Sequence, residues 1–534
     1  MRDSTRPGLR DRLLSIGAAA AAAITLGGCA TDAAQDPDPD QTETDQTETD
    51  RTQVEPTGDA LRRGGHGDHG GRARNVILFV GDGMGISTIS ATRVFSVGVE
   101  GDLVLDQFPH SALSRTADAD HITADSASTM TAMMTGTRAN SGVLGFGAET
   151  EFGDFNGDGD GPRLETLLEQ AARRGMRTGV VSTARVTHAT PAACYAHIDD
   201  RDDESQIALQ ALPGDPAYNA ALGSGIDLIL GGGRQFFVPS TVTDEEGDTG
   251  SRTDGRDLRA EYQAAGYTYV WNAEQLDGID RADLPLLGLF ERGHMEYEYD
   301  RPTDVGGEPS LGQLTGKAID LLEGACHHGR QGYFLMVEAG RIDHAHHAGN
   351  AWRALTDAEE LDRAVGEALA KVDLRDTLVL VTADHSHVFT MAGYPLRPAG
   401  ELGYPVTSAP AAYLSSPHNN LFDVVFDLDG GGNVVPSTDA GGVPYTVLGY
   451  QNGPGHRGVA RVDPTVDPFP GLSGLPGAGP NDSEYLQESA VPIGSETHAG
   501  EDVALFAIGR GSELVHGTVE NTRVHDVMAE ALGL

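Results

Sequence analysis

A chain of 534 residues, with 80 acidic residues, 37 basic residues and a net charge of −43, is long enough for one large α/β domain or two smaller ones. The strong negative charge argues against a nucleic-acid partner, because a phosphate backbone would be repelled, and an anionic substrate would need a local source of positive charge. Only Lys317 and Lys371 are lysines, a bias that either a salt-adapted bacterial source or a high genomic GC content would explain.

The first 28 residues predict an export signal rather than part of the fold. Four arginines within the first twelve residues precede an Ala-rich apolar stretch, Leu13 to Gly28, which is shorter than the ~20 residues of a membrane helix. The stretch ends in LGGCA, which resembles a bacterial lipoprotein box with Cys29 as the lipidated residue; an ordinary signal peptide with an unrelated Cys is the alternative. We therefore expect an exported protein that is lipid-anchored at the cell envelope, in the periplasm or at the cell surface.

Residues 29–72 predict a disordered acidic and Gly-rich tether. QTETD occurs twice in succession, at 41–50, and the segment lacks residues that form a core. Residues 73–534 are then predicted to form the folded domain. Only Cys194 and Cys326 remain in it, so no disulfide framework is predicted.

Six apolar, β-branched runs predict strands of a mostly parallel sheet. They do not alternate between apolar and polar residues, which is typical of strands buried on both faces. Helical periodicity between them, clearest from Trp352 to Val372, predicts helices that cover the sheet. The stretch from about 393 to 494 is rich in Gly and Pro and is predicted to be an insertion. The six runs are NVILFVGDG, RTGVVSTA, IDLILGGG, YFLMVEAG, TLVLVTADH and DVALFAIG.

Ser126, in HITADSASTMTAMMTG, is a candidate nucleophile. The residues after it favour a helix, and the exposed N–H groups at a helix start favour phosphate or a similar anion. In this segment taken alone, simple capping of the helix by Ser126 is the alternative explanation.

Polar side chains also follow three of the predicted strands. Asp82 follows VILFVG, Glu338 closes FLMV, and Asp384 and His385 follow LVLVTA. Because sites in open α/β sheets lie at the carboxyl ends of the strands, we expect these side chains to converge.

The turn after Glu338 contains an acid and three imidazoles. Asp343 and His347 are four residues apart, so on a helix they could share one metal ion, whereas His344 and His346 would point elsewhere. A polar loop with its charges facing water is the alternative for this stretch alone.

Six motifs, in consistent order from about Asn75 to the C-terminus, resemble those of the alkaline phosphatase family. They are VGDGMG, TADSAS, THATPAA, VEAGRIDHAHH, VTADHSHVF and ETHAGEDVALFA. The resemblance implies an α/β three-layer sandwich, with a mostly parallel central sheet, helices on both faces and a crown-like insertion. It also implies two Zn²⁺ ions and one Mg²⁺ ion per subunit, a homodimer, and hydrolysis of phosphate monoesters to an alcohol and inorganic phosphate.

The resemblance assigns roles to individual residues. Ser126 stands at the position of the nucleophile, which forms a phosphoserine intermediate, and Arg201 at that of the arginine that binds the substrate phosphate. The implied metal ligands are Asp343, His347 and His498 for the first zinc; Asp82, Asp384 and His385 with the Ser126 oxygen for the second zinc; and Asp82, Thr190 and Glu338 for magnesium.

His188 and His344 depart from the enterobacterial pattern, which has Asp and Lys, and match animal-type and some marine bacterial members of the family. We expect both to surround the metal ligands without being ligands themselves. That subgroup has a calcium site, onto which Glu246, the Phe290 carbonyl, Glu291 and Glu308 would map. Three other histidines are interpreted as structural or surface residues and left out of the site: His387, His516 and His525.

Two other functions are consistent with parts of the sequence. Phosphodiesterases and sulfatases of the same superfamily share the two-metal scaffold, but such relatives often use Thr or a modified Cys as nucleophile and lack the third-metal residues. A non-catalytic, lipid-anchored phosphate- or metal-binding protein would need no nucleophile. Hydrolysis of a chromogenic monoester, compared with the matching diester and sulfate, distinguishes these functions.

Overall fold

The computed structural model describes residues 71–153, 161–326, 332–396, 421–456 and 479–534. The predicted signal segment, Cys29 and nearly all of the predicted tether lie outside these ranges. Within them, no helix is long and apolar enough to cross a membrane.

The strands of the described ranges include all six predicted runs. In chain order they are β1 (Asn75–Gly81), β2 (His110–Arg115), β3 (Arg177–Arg185), β4 (Leu228–Gly232), β5 (Thr268–Val270), β6 (Leu286–Leu289), β7 (Tyr333–Ala339), β8 (Thr377–Thr382), β9 (Ser386–His387), β10 (Phe389–Met391), β11 (Phe426–Leu428), β12 (Val434–Pro436), β13 (Leu448–Gly453), β14 (Glu488–Pro492), β15 (His498–Ala499), β16 (Val503–Gly509) and β17 (Gly517–Glu520).

Ten of these strands form the central sheet, in the order β17-β2-β16-β8-β1-β7-β3-β4-β6-β5. The sheet is mostly parallel, as predicted. The exception is β16, formed by the DVALFAIG run, which is antiparallel to both β2 and β8. Every residue of β1, β7 and β8 is buried, which explains why these runs are apolar without alternation.

Helices cover the sheet, and two apolar cores pack against it. Neighbouring residues of β1 belong to different cores, Leu78 to one and Ile77 to the other, because successive strand residues point to opposite faces. The α-helices of the described ranges are α1 (Ile86–Val97), α2 (Ser126–Thr135), α3 (Leu167–Arg173), α4 (Ala189–Ala192), α5 (Glu204–Gln210), α6 (Leu258–Ala264), α7 (Ala273–Asp277), α8 (Leu311–Ala325), α9 (Arg341–His347), α10 (Ala351–Lys371) and α11 (Thr522–Leu532). The predicted helix 352–372 is α10, displaced by one residue.

The parallel register aligns the carboxyl ends of the central strands. Val80 of β1 pairs with Glu338 of β7 on one side and with Thr382 of β8 on the other. Asp82 lies two residues after Val80, and Asp384 lies two residues after Thr382. The three acids that the strand ends carry therefore meet at one edge of the sheet.

The stretch predicted as an insertion, about 393–494, contains short strands in its described parts. The strands β13 and β14 form one small sheet with β10, which lies just before the stretch, and β11 and β12 pair with each other. Just outside the stretch, β9 pairs antiparallel with β15, which places His387 opposite His498. This pairing therefore brings His387 next to a predicted metal ligand.

Candidate metal centre

The first cluster of potential ligands combines three of the predicted residues. Asp343 and His347 lie one turn apart on α9, and His498 begins β15. The Nε2 atoms of His347 and His498 are each 3.4 Å from Asp343 Oδ1 and 3.1 Å from one another. Although burial favours the neutral acid, the surrounding imidazoles hold the pKa of Asp343 well below its ordinary value.

Backbone carbonyl groups orient the two imidazoles of this cluster. His347 Nδ1 donates to the Glu496 carbonyl oxygen at 2.6 Å, and His498 Nδ1 donates to that of Ala124 at 2.7 Å. A proton on Nδ1 leaves the Nε2 lone pair free to bind a metal ion, the arrangement that metal-binding histidines usually have.

His387 is the residue of the first cluster that the sequence interpretation left out. Its ring belongs to the same group of potential ligands, and its Nε2 is 2.7 Å from Asp343 Oδ1. Burial disfavours the charged ring, but its bonds to Asp343 and Glu496 raise the pKa of His387 to about 9. One signal was available: His385 and His387 are two residues apart after a strand, a spacing that places side chains on one face of an extended chain.

The second cluster consists of Asp82, Asp384 and His385, all buried. His385 Nε2 is 3.3 Å from Asp384 Oδ2 and 3.5 Å from Asp82 Oδ1. It is also 3.1 Å from the Oγ atom of Ser126. Both carboxylate oxygens of Asp82 and the Oδ2 atom of Asp384 have no hydrogen-bond partner among the described residues. Buried oxygens of this kind normally have a partner, so these atoms fit a bound cation.

A third cluster shares Asp82 and adds Glu338 and His188. Glu338 Oε1, the Thr190 hydroxyl and His188 Nδ1 are buried and have no hydrogen-bond partner in the described part of the chain. Glu338 Oε2, by contrast, accepts from Ser182 Oγ. Burial lowers the pKa of His188 well below its ordinary value, so this ring is neutral.

The electrostatics of the second and third clusters also favour cations. Burial, together with the charges of Asp384, Asp343 and Glu338, raises the pKa of Asp82 well above its ordinary value. Burial is likewise the main reason that the pKa of Glu338 is raised to about 7. Several buried carboxylates at one point are stable in their ionised form only when positive charge compensates them. The donor set therefore fits divalent metal ions.

Ser126 is the first residue of α2, and Asp125 rather than Ser126 caps this helix. An Asp125 carboxylate oxygen accepts from the backbone N–H groups of Ala127 at 3.1 Å and Gly142 at 2.8 Å. Capping is thus done by the neighbouring residue, and the Ser126 hydroxyl is left facing His385. The simple capping role that the sequence left open does not apply to Ser126.

Arg201 lies beside the same helix start. Its Nη1 pairs with the Asp125 carboxylate, and its Nη2 is 3.0 Å from His188 Nε2. Although burial disfavours the charged guanidinium, Asp125 and Asp202 raise the pKa of Arg201 above its ordinary value. The site thus has a permanent cation next to Ser126, which meets the need for local positive charge on an acidic protein.

His344 and His346 do not belong to the first cluster, although the His346 ring lies 4.9 Å from that of His387. The His344 ring lies 4.0 Å from the ring of His294 and 5.5 Å from that of His188, measured between centroids. His346 Nε2 is 3.0 Å from the Thr88 hydroxyl. His294 follows β6, two strands along the sheet from β3, and the fold brings it to His344 and His188.

A separate acidic cluster consists of Glu246, Glu291 and Asp304. The prediction for this region selected Glu308, but the structure places Asp304 in the cluster instead. Asp304 Oδ2 accepts from the backbone N–H of Glu308 at 2.9 Å, so the turn folds back and brings its first residue to the other acids. Phe290 is buried and directly follows β6.

Comparison with known proteins adds independent information. The profile of the family described as "Alkaline phosphatase" matches residues 73–534. Mouse tissue-nonspecific alkaline phosphatase is 39% identical over 483 residues, which cover 86% of this chain and 83% of the mouse protein. Alkaline phosphatase of the cod Gadus morhua is 36% identical over 489 residues, which cover 86% of this chain and 92% of the cod protein.

Solved structures show the same fold. The crystal structure of Thermus thermophilus alkaline phosphatase aligns with a TM-score of 0.59 and 26% identity, over 89% of this chain and 94% of that one. Alkaline phosphatase from the Antarctic bacterium TAB5 aligns with a TM-score of 0.56 and 23% identity, over 87% and 99% of the two chains.

Proposed function

The chain belongs to the alkaline phosphatase family and hydrolyses phosphate monoesters at a metal site, and we propose that Ser126 is the nucleophile. The observation that carries this proposal is the 3.1 Å distance between Ser126 Oγ and His385 Nε2, at the start of a helix and beside the Arg201 guanidinium. The helix start and Arg201 favour the phosphoryl group, and the hydroxyl lies where it can reach the phosphorus atom.

We further propose that the three clusters bind two Zn²⁺ ions and one Mg²⁺ ion. The first cluster supplies one carboxylate and two imidazoles, and the second supplies two carboxylates and one imidazole, both of which suit zinc. The third supplies the oxygens of Asp82, Thr190 and Glu338, which suit magnesium. When bound, these cations stabilise negative charge on the transferring phosphoryl group and lower the pKa values of the Ser126 hydroxyl and of water.

The reaction then proceeds in two successive displacements at phosphorus. Ser126 Oγ loses its proton and bonds to phosphorus, while the bond from phosphorus to the leaving alcohol breaks and the alcohol oxygen takes up a proton. Arg201 donates two N–H groups to the phosphoryl oxygens, and Asp125 fixes the position of its guanidinium. A water oxygen next attacks the phosphoserine, which releases inorganic phosphate and restores the Ser126 hydroxyl.

Two measurements test this function. Rates on a chromogenic phosphate monoester, the matching diester and the matching sulfate, each with and without Zn²⁺ and Mg²⁺, should favour the monoester and depend on metal. Acid quenching with phosphorus-labelled substrate, followed by peptide mapping, should place the label on Ser126. Label on another residue, or equal rates on all three substrates, would contradict the proposal.

For the intact protein, we propose a salt-adapted homodimer that is exported and anchored through lipid on Cys29. The LGGCA sequence and the acidic repeat that follows it support the anchor, and the family resemblance supports the dimer. Light scattering of the protein purified without its first 72 residues should give twice the mass of the chain. A mass of one chain at micromolar concentration would contradict the dimer.

We also propose that Ca²⁺ binds at Glu246, Glu291 and Asp304, with the Phe290 carbonyl. The three carboxylates offer oxygen atoms within 4.8 Å of one another. The nearby Glu308 has a buried oxygen without a partner, and burial raises its pKa to about 8. Added Ca²⁺ should raise Tm in the native protein but not in a Glu291→Gln variant.

A further inference from the structure

We propose that Glu496 is a positioning residue for the first metal site, an inference that rests on the proposed function. Glu496 lies two residues before His498 and is 1% exposed. Its backbone N–H donates to the His347 carbonyl oxygen at 2.9 Å, and its own carbonyl oxygen accepts from His347 Nδ1 at 2.6 Å. Its backbone therefore fixes both the ring and the main chain of one ligand.

The side chain of Glu496 reaches a second ligand through His387. One carboxylate oxygen bonds to His387 Nδ1, and the other accepts from the backbone N–H of Val388 at 2.7 Å. His387 Nε2 is in turn 2.7 Å from Asp343 Oδ1. The result is a continuous series of hydrogen bonds from Glu496 through His387 to the carboxylate of Asp343.

This series of hydrogen bonds explains why only three of the four potential ligands of the first cluster would bind the metal ion. His387 is held between two carboxylates, so each of its ring nitrogens is directed at an oxygen and neither is directed at a metal position. The ring then orients Asp343 instead of competing with it for the metal. Partners that orient ligands in this way typically contribute 10- to 100-fold to metal affinity.

The test is a Glu496→Gln variant of the full-length protein. An amide offers one acceptor end and one donor end, so it cannot accept from both His387 and Val388 as the carboxylate does. We expect the free Zn²⁺ concentration needed to fill the first site, measured by competition with a chromogenic chelator, to rise about tenfold. Tm of the metal-free protein should fall only modestly, because the contacts between the Glu496 backbone and His347 remain while one buried donor of His387 or Val388 loses its acceptor. Zinc affinity is therefore compared at a temperature at which both metal-free proteins are folded.

A matched control and a double variant complete the design. Glu501→Gln also removes a carboxylate that bonds to this segment, at Ser386 Oγ, but that carboxylate contacts no predicted ligand, and zinc affinity should stay within about twofold. In a His387→Gln background, Glu496→Gln should have little further effect, because the residue acts through His387. If Glu496→Gln does not fold, Glu496→Asp serves, since the shorter side chain cannot reach both partners.

Three results would overturn the inference: unchanged zinc affinity in Glu496→Gln, an equal loss in the two backgrounds, or an equal loss in Glu501→Gln. Native protein that retains no zinc would overturn the proposed function as well. Native protein that retains zinc, with a variant that retains it equally, would overturn the inference alone.

Discussion

Ser126 Oγ lies 3.1 Å from Nε2 of His385, a residue 259 positions away in the chain. The first residue of α2 and a residue three positions after β8 therefore lie together at the carboxyl end of the sheet. This contact joins the candidate nucleophile to the second cluster, whose two aspartates carry oxygens without partners among the described residues.

Ser126→Ala should lower kcat by at least about a thousandfold, because no other hydroxyl lies at that position to form the covalent intermediate. Zinc content should remain near that of the native protein, since Asp82, Asp384 and His385 still form the second cluster. Steady-state kinetics and metal analysis on the same sample check both parts. Near-normal activity would show that Ser126 is not the nucleophile.

Arg201→Ala should lower kcat/KM by about 10- to 100-fold, less than the loss of Ser126, because the bound metals still supply most of the charge. Inhibition by inorganic phosphate should weaken as well, since the guanidinium donates two N–H groups in a planar fork. Arg201→Lys keeps the charge but not the fork, so it should recover only part of the lost affinity. Full recovery with Lys would indicate that charge alone matters.

The metal-free protein should lose stability as pH rises from about 6.5 to 8, above the range in which buried histidines whose pKa is lowered, such as His188 and His385, favour folding more as pH rises. Burial raises the pKa of Glu338 from an ordinary value of 4.5 to about 7, and Asp82 is shifted in the same direction. An acid whose pKa is raised on folding favours the folded state below its unfolded pKa, and that contribution is lost as pH rises through the folded pKa. Calorimetry with a chelator in molar salt should show Tm falling through this window, and Zn²⁺ with Mg²⁺ should restore it.

A Glu338→Gln variant is the control for this pH dependence. Glutamine does not ionise, so the fall in Tm of the metal-free variant should be smaller than that of the metal-free native protein. The same fall in both proteins would assign the effect to other groups.

Stability should increase from low to molar salt, because 80 acidic residues repel one another and salt screens that repulsion. Melting temperatures at fixed pH, with the metals bound, measure this directly. A steady decrease of Tm with salt would contradict salt adaptation.

Cys29 should carry a diacylglyceryl group in protein extracted from membranes of the native host. Mass spectrometry of the N-terminal peptide identifies the modification, and a Cys29→Ser variant should appear in the soluble fraction. An unmodified N-terminus beyond residue 29 would exclude the lipid anchor.

The six strand runs and most of the side chains at their ends could be predicted from residue order. An uninterrupted apolar run requires burial on both faces, and Asp82, Glu338 and Asp384 follow such runs at the point where parallel strands end together. The one-turn spacing of Asp343 and His347 placed both on one side of a helix. These features are local, so residue order alone could predict them.

Which distant groups join these side chains depends on the tertiary structure. The antiparallel pairing of β9 with β15 places His387 opposite His498. Glu496, just before β15, contacts His347 directly and Asp343 through His387. The turn at 304–308 selects Asp304 rather than Glu308 for the separate acidic cluster. Strand direction and turn closure depend on hydrogen bonds between segments far apart in the chain, and no local pattern of side chains encodes those partners.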